Sequence, residues 1–259
     1  MKCSKRELII AYSMRNLGDW NKTLKDISAE ADITDEEIEA VRNLKCKTLV
    51  LIDDDYPIAI KKGFKPPFVI YYYGDINLLL DYNHNVSIVG SRDCSVYGVS
   101  KTKEIAGGLA EQGFHIVSGL ARGIDAIAHQ ACIEHGGKTI AILGCGIDFC
   151  YPEENRNLYE IIKKDHLLMS EFPLSLPPQP YFFPVRNRLI AEASKTLVLT
   201  EAKIMSGSSI TAHIAMKGNT DIMCVPYQAG NDSLCNRLIQ VGAYLVESVD
   251  DVVNMMPKY

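Results

Sequence analysis

Six short, unbroken apolar runs, separated by helix-length segments, constrain this chain more than any other feature. They are Val86–Val89, His115–Val117, Lys138–Leu143, Leu167–Met169, Thr196–Thr200 and Asp221–Val225. A strand with one wet face alternates apolar and polar residues. A continuous apolar run instead implies burial on both faces, the condition of strands in a parallel sheet covered by helices. The repeated alternation of strand and helix therefore predicts a Rossmann-like, doubly wound α/β fold with a mostly parallel sheet. In such sheets ligands bind where loops leave the carboxyl ends of the strands, so those loops are where function is expected.

Upstream of the sheet the texture differs. Residues 1–45 are predicted as a small helical module: apolar positions recur at spacings of three and four, and Asp35, Glu36, Glu37 and Glu39 follow Thr34, an N-cap residue type. From Thr48 the pattern turns to strand, with Thr48–Asp53, a break at Pro66-Pro67, and Phe68–Tyr73 closed by Gly74-Asp75. Residues 46–259 are expected to form one extended sheet domain.

Composition excludes several function classes. Nowhere do about 18 consecutive apolar residues occur, as a membrane span needs. Met1–Ile10 carries Lys2, Lys5, Arg6 and Glu7 around a brief apolar stretch, unlike a secretory signal; a cytoplasmic protein is expected. The eight cysteines form no C-x-x-C pair, and the six histidines show no ligand spacing, so neither metal nor cofactor is predicted. A net charge of −5 argues against a broad basic surface of the kind that binds nucleic acid without regard to sequence. Any contact with nucleic acid has to be a local pocket.

Four loops have the residue types for such a pocket. After the first core strand come Gly90-Ser91-Arg92, Ser95 and Tyr97-Gly98, opening a helix: glycine lets backbone approach a ligand, and a helix N-terminus offers free N–H groups to an anion. This reads as a phosphate cradle containing an arginine. After the second strand, Ser118-Gly119-Leu120-Ala121-Arg122-Gly123-Ile124-Asp125 repeats the arrangement, with Asp125 either capping its own helix or meeting a ligand. Neither this loop nor Gly144-Cys145-Gly146 has the G-x-G-x-x-G spacing of a dinucleotide site. Between them and the third loop, Tyr151-Pro152-x-x-Asn155 reads as a structural lead into a helix that Asn155 can cap. The third loop is Phe183-Pro184-Val185-Arg186-Asn187-Arg188. Arginine grips phosphate through two N–H groups, and an aromatic face stacks on an unpaired base. If Arg186 and Arg188 leave a helix start on opposite sides, one is expected in a structural ion pair and the other at ligand. The fourth, Ser206-Gly207-Ser208-Ser209 with Thr211, opens a further helix with small hydroxyl residues that suit an anion or satisfy the first turn. Glu201 is the best-placed carboxylate for acid–base chemistry, but no partner stands at a useful spacing, so a structural role is favoured.

In order, these segments resemble the DprA/Smf family of bacterial DNA processing proteins. The resemblance runs from about Leu49 to about Met256 and includes Asp53-Asp54-Asp55-Tyr56-Pro57, Gly90-Ser91-Arg92, Ser118-Gly119-x-Ala121-x-Gly123-Ile124-Asp125 and Gly144-x-Gly146-x-Asp148-x-x-Tyr151-Pro152. It continues through Ser170-Glu171-Phe172-Pro173, Phe183-Pro184-x-Arg186-Asn187-Arg188, Ser206-Gly207-Ser208-x-x-Thr211-Ala212 and Asn236-x-Leu238-Ile239-x-x-Gly242-Ala243. The resemblance implies a non-enzymatic homodimer that binds single-stranded DNA in its Rossmann-like domain and helps load the RecA recombinase, serving recombination and the uptake of transforming DNA in competent cells. It places DNA contacts on Gly90, Ser91, Arg92, Ser95, Tyr97, Gly98, the Ser118–Asp125 loop, Phe183, Arg186, Asn187, Arg188 and the Ser206–Thr211 turn. Two rivals share the fold: a phosphoribohydrolase-like enzyme, which wants a Pro-Gly-Gly-x-Gly-Thr loop where this chain has Ser206-Gly207-Ser208-Ser209, and a sensor of free nucleotide.

Overall fold

The computed structural model describes residues 3–218 and 220–257. Three helices come first: α1 (Lys5–Arg15), α2 (Trp20–Ser28) and α3 (Asp35–Arg42). Reciprocal capping starts two of them, Ser4 with Glu7 on α1 and Thr34 with Glu37 on α3, so that two orphan N–H groups are satisfied at each start. Then follow β1 (Lys47–Val50), α4 (Ile58–Lys61), β2 (Val69–Gly74), α5 (Asn77–Leu80), β3 (Asn85–Val89), α6 (Val96–Glu111), β4 (His115–Ser118), α7 (Ile124–Glu134) and β5 (Thr139–Ile142). The chain continues with α8 (Arg156–Asp165), β6 (Leu167–Ser170), α9 (Phe182–Glu192), β7 (Thr196–Leu199), α10 (Gly207–Lys217), β8 (Asp221–Cys224), α11 (Leu234–Gln240), β9 (Tyr244–Leu245) and α12 (Val249–Met255).

All the described strands join one sheet in the order β1-β2-β6-β5-β4-β3-β7-β8-β9. From β6 to β9 every neighbouring pair is parallel, and β2 alone is reversed, pairing antiparallel with both β6 and the edge strand β1. The six apolar runs are β3 to β8, and four of them, β3, β5, β6 and β7, are buried at every residue. The two-residue β9 has no counterpart in the sequence reading. Its exposed Tyr244 and Leu245 carry no apolar run to betray it.

Successive residues of a strand point to opposite faces, and the core divides accordingly. Val86 and Ile88 of β3, Ile116 of β4 and Val198 of β7 pack under α6 and α7 against Ile105, Leu109, Ile124 and Ala128. Val89, Val117, Leu197 and Leu199 pack on the other face against Leu189 and Ile190 of α9 and Ala212 of α10. Helices α1, α3 and α8 cover β1, β2 and β6, where Ile10, Ile38, Val41, Leu158 and Ile162 meet Val50, Val69, Tyr71 and Leu168 in one cluster. The Tyr71 hydroxyl donates to Ser13 Oγ across that contact, at 3.0 Å and out of solvent. The N-terminal helices thus share their core with the edge of the sheet.

The strand order turns back at β3, whose neighbours are β4 on one side and β7 on the other. This is the switch point at which open α/β sheets bind ligands. The loops after β3, β4, β5 and β7, with the first turn of α9, converge there. Among the described residues no helix is long and apolar enough to cross a membrane, and no three or more His, Cys, Asp or Glu side chains gather as a metal site.

Candidate nucleic-acid interface

The loop after β3 behaves differently from its sequence reading. Ser95 is the N-cap of α6 and its Oγ accepts from Gly98 N at 3.1 Å. The Glu201 carboxylate lies against the same turn, accepting from Ser95 N at 3.1 Å and from Ser95 Oγ at 2.6 Å. A Cβ on Gly98 would collide with that carboxylate. The anion at the start of α6 is therefore the protein's own, stabilised by the free N–H groups and the positive end of the helix. Ser95 and Gly98, expected in a phosphate cradle, are turned to Glu201 instead. Glu201 has the structural role that the sequence favoured.

Arg92 is the part of this loop left for a ligand. It is exposed, and among the described residues its guanidinium has no hydrogen-bond or ion-pair partner; it lies over the ring of Phe183, 5.4 Å from the centroid. Tyr151 stands beside the same ring, with centroids 5.8 Å apart, and is itself exposed. Tyr97 is farther along α6, its hydroxyl donating to Pro226 O at 3.1 Å and its ring edge-on to Tyr227. Ser91 is buried, its N–H donating to Glu201 O at 2.7 Å.

The loop after β4 is held from three sides. Ser118 donates to Ile88 O at 2.6 Å and pins β4 to β3. Asp125 accepts from Gly119 N at 3.2 Å and Ala121 N at 3.4 Å, so it ties down the loop ahead of α7 and not the first turn of its own helix. Asn155 does not cap α8 through its side chain; its amide donates to Leu120 O at 3.0 Å and Ala121 O at 3.3 Å. Two glycines are obligatory here. A Cβ on Gly119 would lie 2.7 Å from Asp125 Oδ2 and 2.8 Å from Arg186 Nη1. Gly123, at φ 71° and ψ −128°, adopts backbone open to glycine and presses against the carbonyl of Ser91.

The two arginines of α9 leave the helix on opposite sides, but both are buried in protein contacts, so the expectation that one of them faces ligand is met by neither side chain directly. Arg188 donates to both oxygens of Glu171, at 2.7 and 2.6 Å, and its remaining N–H groups reach Phe64 O, Lys65 O and Val185 O at 3.1, 2.9 and 2.9 Å. Every donor is used inside the protein, so Arg188, expected on DNA, is a buried structural ion pair. Arg186 is only 3% exposed. It donates to Gly119 O at 2.8 Å, to Ile142 O, and from Nε to Asn187 Oδ1 at 3.1 Å. Its guanidinium also flanks the Phe183 ring, 6.0 Å from the centroid. Burial works against both its charge and that of Asp125, raising the carboxyl and lowering the guanidinium, while each charge favours the other. Arg186 thus locks the loops after β4 and β5 to α9 and sets a positive charge beneath Phe183.

The turn into α10 closes the site. Ser208 Oγ donates to Gly90 O at 2.7 Å, Asn187 Nδ2 to Gly207 O at 3.3 Å, and Ser206 Oγ to Lys203 O at 2.7 Å. Thr211 is buried. No side chain caps the first turn of α10, and Gly207 faces open space. The residues gathered at the mouth are therefore Arg92, Phe183, Tyr151 and Gly207, held by Arg186, Asn187, Ser208 and Gly90. Tyr151 is missed as a site residue by the sequence because nothing local distinguishes it from a loop aromatic; its nearness to Phe183 is a product of the fold. A cavity of about 260 Å³ lies elsewhere, at the far end of α9 between Tyr56, Ile58, Leu79 and Glu192.

Residues 47–257 match the model of the family described as DNA recombination-mediator protein A. The chain is 40% identical over 211 residues to DNA processing protein DprA of Streptococcus pneumoniae, covering 81% of this chain and 74% of that one. Its fold superposes on the crystal structure of S. pneumoniae DprA with a TM-score of 0.82 at 30% identity, over the whole of both chains. It also matches a Helicobacter pylori DprA structure described for its single-stranded DNA binding mode, with a TM-score of 0.72 at 30% identity, covering 82% of this chain and 95% of that one. The chain belongs to the DprA/Smf family of DNA recombination-mediator proteins.

Proposed function

We propose that this chain binds single-stranded DNA at the notch between Arg92, Phe183 and Tyr151, and that as a cytoplasmic homodimer it hands the strand to RecA during recombination and natural transformation. The observation that carries the DNA reading is the uncommitted Arg92 guanidinium poised over the Phe183 ring, with Tyr151 beside it. A cation for the phosphate next to a face for an unpaired base is the pairing that single strands need and stacked duplexes cannot use. The single-stranded DNA binding of the H. pylori relative supports the same reading. RecA and the homodimer rest on membership of the family.

A catalytic role finds no support in the carboxylates of the site. Glu201 is committed to Ser95 at the start of α6, and Asp125 to the loop N–H groups of Gly119 and Ala121. A competition experiment tests the reading against a free-nucleotide sensor. Labelled oligo-dT is to be displaced by unlabelled oligo-dT at stoichiometric excess, and thymidine monophosphate is to displace it poorly even at millimolar concentration. Equal displacement per phosphate by the mononucleotide would refute DNA binding as the role of the notch.

A further inference from the structure

Helix α9 has a second decorated face. Phe183, Arg186 and Asn187 lie on the side of the notch, whereas Tyr181, Val185 and Arg188, spaced by four and three, lie on the opposite side, where the helix meets the loop after α4. Lys61 ends α4, and the loop that follows is Lys62-Gly63-Phe64-Lys65. Both backbone polar groups of Phe64 are fixed to α9: its N–H donates to Glu192 Oε1 at 3.1 Å and its carbonyl accepts from Arg188 Nε at 3.1 Å. Gly63 is pressed so close to the Glu192 carboxyl that a Cβ there would collide with it. Hydrogen bonds thus tie the loop to the same helix that bears the notch.

What this loop presents is unusual for a free surface. Phe64 is 72% exposed and Tyr181, the N-cap residue before α9, is 66% exposed. Lys65 lies over the Phe64 ring at 5.6 Å and over the Trp20 ring at 5.2 Å. Lys61 and Lys62 are exposed, and among the described residues their ammonium groups have no hydrogen bond or ion pair. Of the carboxyls beneath, Glu171 is buried and held by Arg188, and the half-buried Glu192 accepts from the Phe64 N–H through Oε1. Lys65 also donates to Asn21 Oδ1 at 3.0 Å. In a chain of net charge −5, two unpaired lysines beside an exposed aromatic ring match the chemistry of a single strand: phosphates for the cations, a base face for the ring.

We infer that Lys61, the Lys62–Lys65 loop and Tyr181 form an outer track for single-stranded DNA. The strand leaves the notch past the start of α9 and continues over Phe64 and its flanking lysines toward α2. This rests on the proposed DNA binding at the notch. The track adds length to the footprint; it adds nothing to the grip on a strand short enough to fill the notch alone.

Two oligomers separate the two ideas, one of about six nucleotides and one of about twenty, since a single binding module covers roughly 4–16. The variants are K61Q/K62Q and F64A, all at exposed positions, with R92A as the notch control. K61Q/K62Q is expected to weaken the long oligomer by roughly threefold to tenfold and to reduce its salt slope by about 1.4, the sum of two phosphate contacts on a single strand. F64A is expected to weaken the long oligomer about tenfold, the loss of one stacked base. The short oligomer is to keep wild-type affinity in both, and R92A is to weaken both lengths. If the track variants bind the long oligomer like the wild type, or lose both lengths equally, the track is wrong while the notch stands. If the wild type binds neither oligomer, the notch reading falls and the track with it.

Discussion

Arg186 and Arg188 are separated by one residue and by opposite duties. A helix turns about 100° per residue, so side chains two apart diverge by about 200°, and the two arginines of the Phe-Pro-x-Arg-Asn-Arg segment serve opposite sides of one helix, Arg188 in an ion pair and Arg186 buried beneath the notch. Which is which cannot be read from the sequence, because Glu171 is distant along the chain and reaches Arg188 only through the packing of β6 against the sheet. Replacing Arg188 by Met leaves the Glu171 carboxylate buried without its partner, and removing one member of such a pair costs about 3–5 kcal/mol. Urea unfolding of R188M should show a loss in that range, and a loss below about 1 kcal/mol would mean that Glu171 finds another partner. The Arg92 side chain makes no such contact, so R92A is expected to unfold within about 0.5 kcal/mol of the wild type.

The elements are the most legible part of the chain. Continuous apolar runs place β3 to β8 within a residue or two, because strands covered by helices on both faces are apolar on both, with the few buried Ser and Thr side chains hydrogen-bonded to backbone. The helix starts are less so. The glycine and hydroxyl residues before α6 suit an external anion and an internal one equally, and only the position of Glu201 at the end of neighbouring β7 decides between them. E201Q removes a full negative charge from the start of α6. It is expected to lower stability by about 1 kcal/mol, the scale of a cap and a helix-dipole interaction, without lowering affinity for oligo-dT. A melting series and a titration on the same sample check both halves; a drop in affinity of tenfold or more at unchanged stability would place Glu201 at the ligand.

For the molecule as a whole, two buried groups tilt stability with pH in opposite directions. Burial pushes His129 down to about 3, with His166 and Arg186 adding to the shift, so the folded state holds it neutral while the unfolded chain takes up a proton near 6.5. Its contribution is complete above pH 6.5 and is lost as the pH falls from there toward 3. Burial pushes Glu192 up to about 7 against an ordinary value of 4.5, with Arg188 opposing, so its contribution is complete below 4.5 and is lost as the pH rises to 7. The denaturation midpoint of H129N should therefore change less than that of the wild type between pH 6.5 and 4.5, and that of E192Q should fall less between pH 4.5 and 7. Parallel pH profiles for variant and wild type would contradict either assignment. Neither group is visible in the sequence, since a lone His or Glu on a helix acquires its environment only when the layers close. The notch is half legible: Arg92 and Phe183 stand out in their own segments as a phosphate arginine and a stacking ring, whereas Tyr151 looks like an ordinary loop aromatic until the loop after β5 folds it against Phe183. The most direct test is the affinity of the wild type and R92A for labelled oligo-dT and the matched duplex across a salt series. A preference for the single strand that weakens with salt, with R92A losing about tenfold and reducing the slope by about 0.7, is the predicted result. Equal binding of duplex and single strand, or an R92A variant indistinguishable from the wild type, would contradict the account.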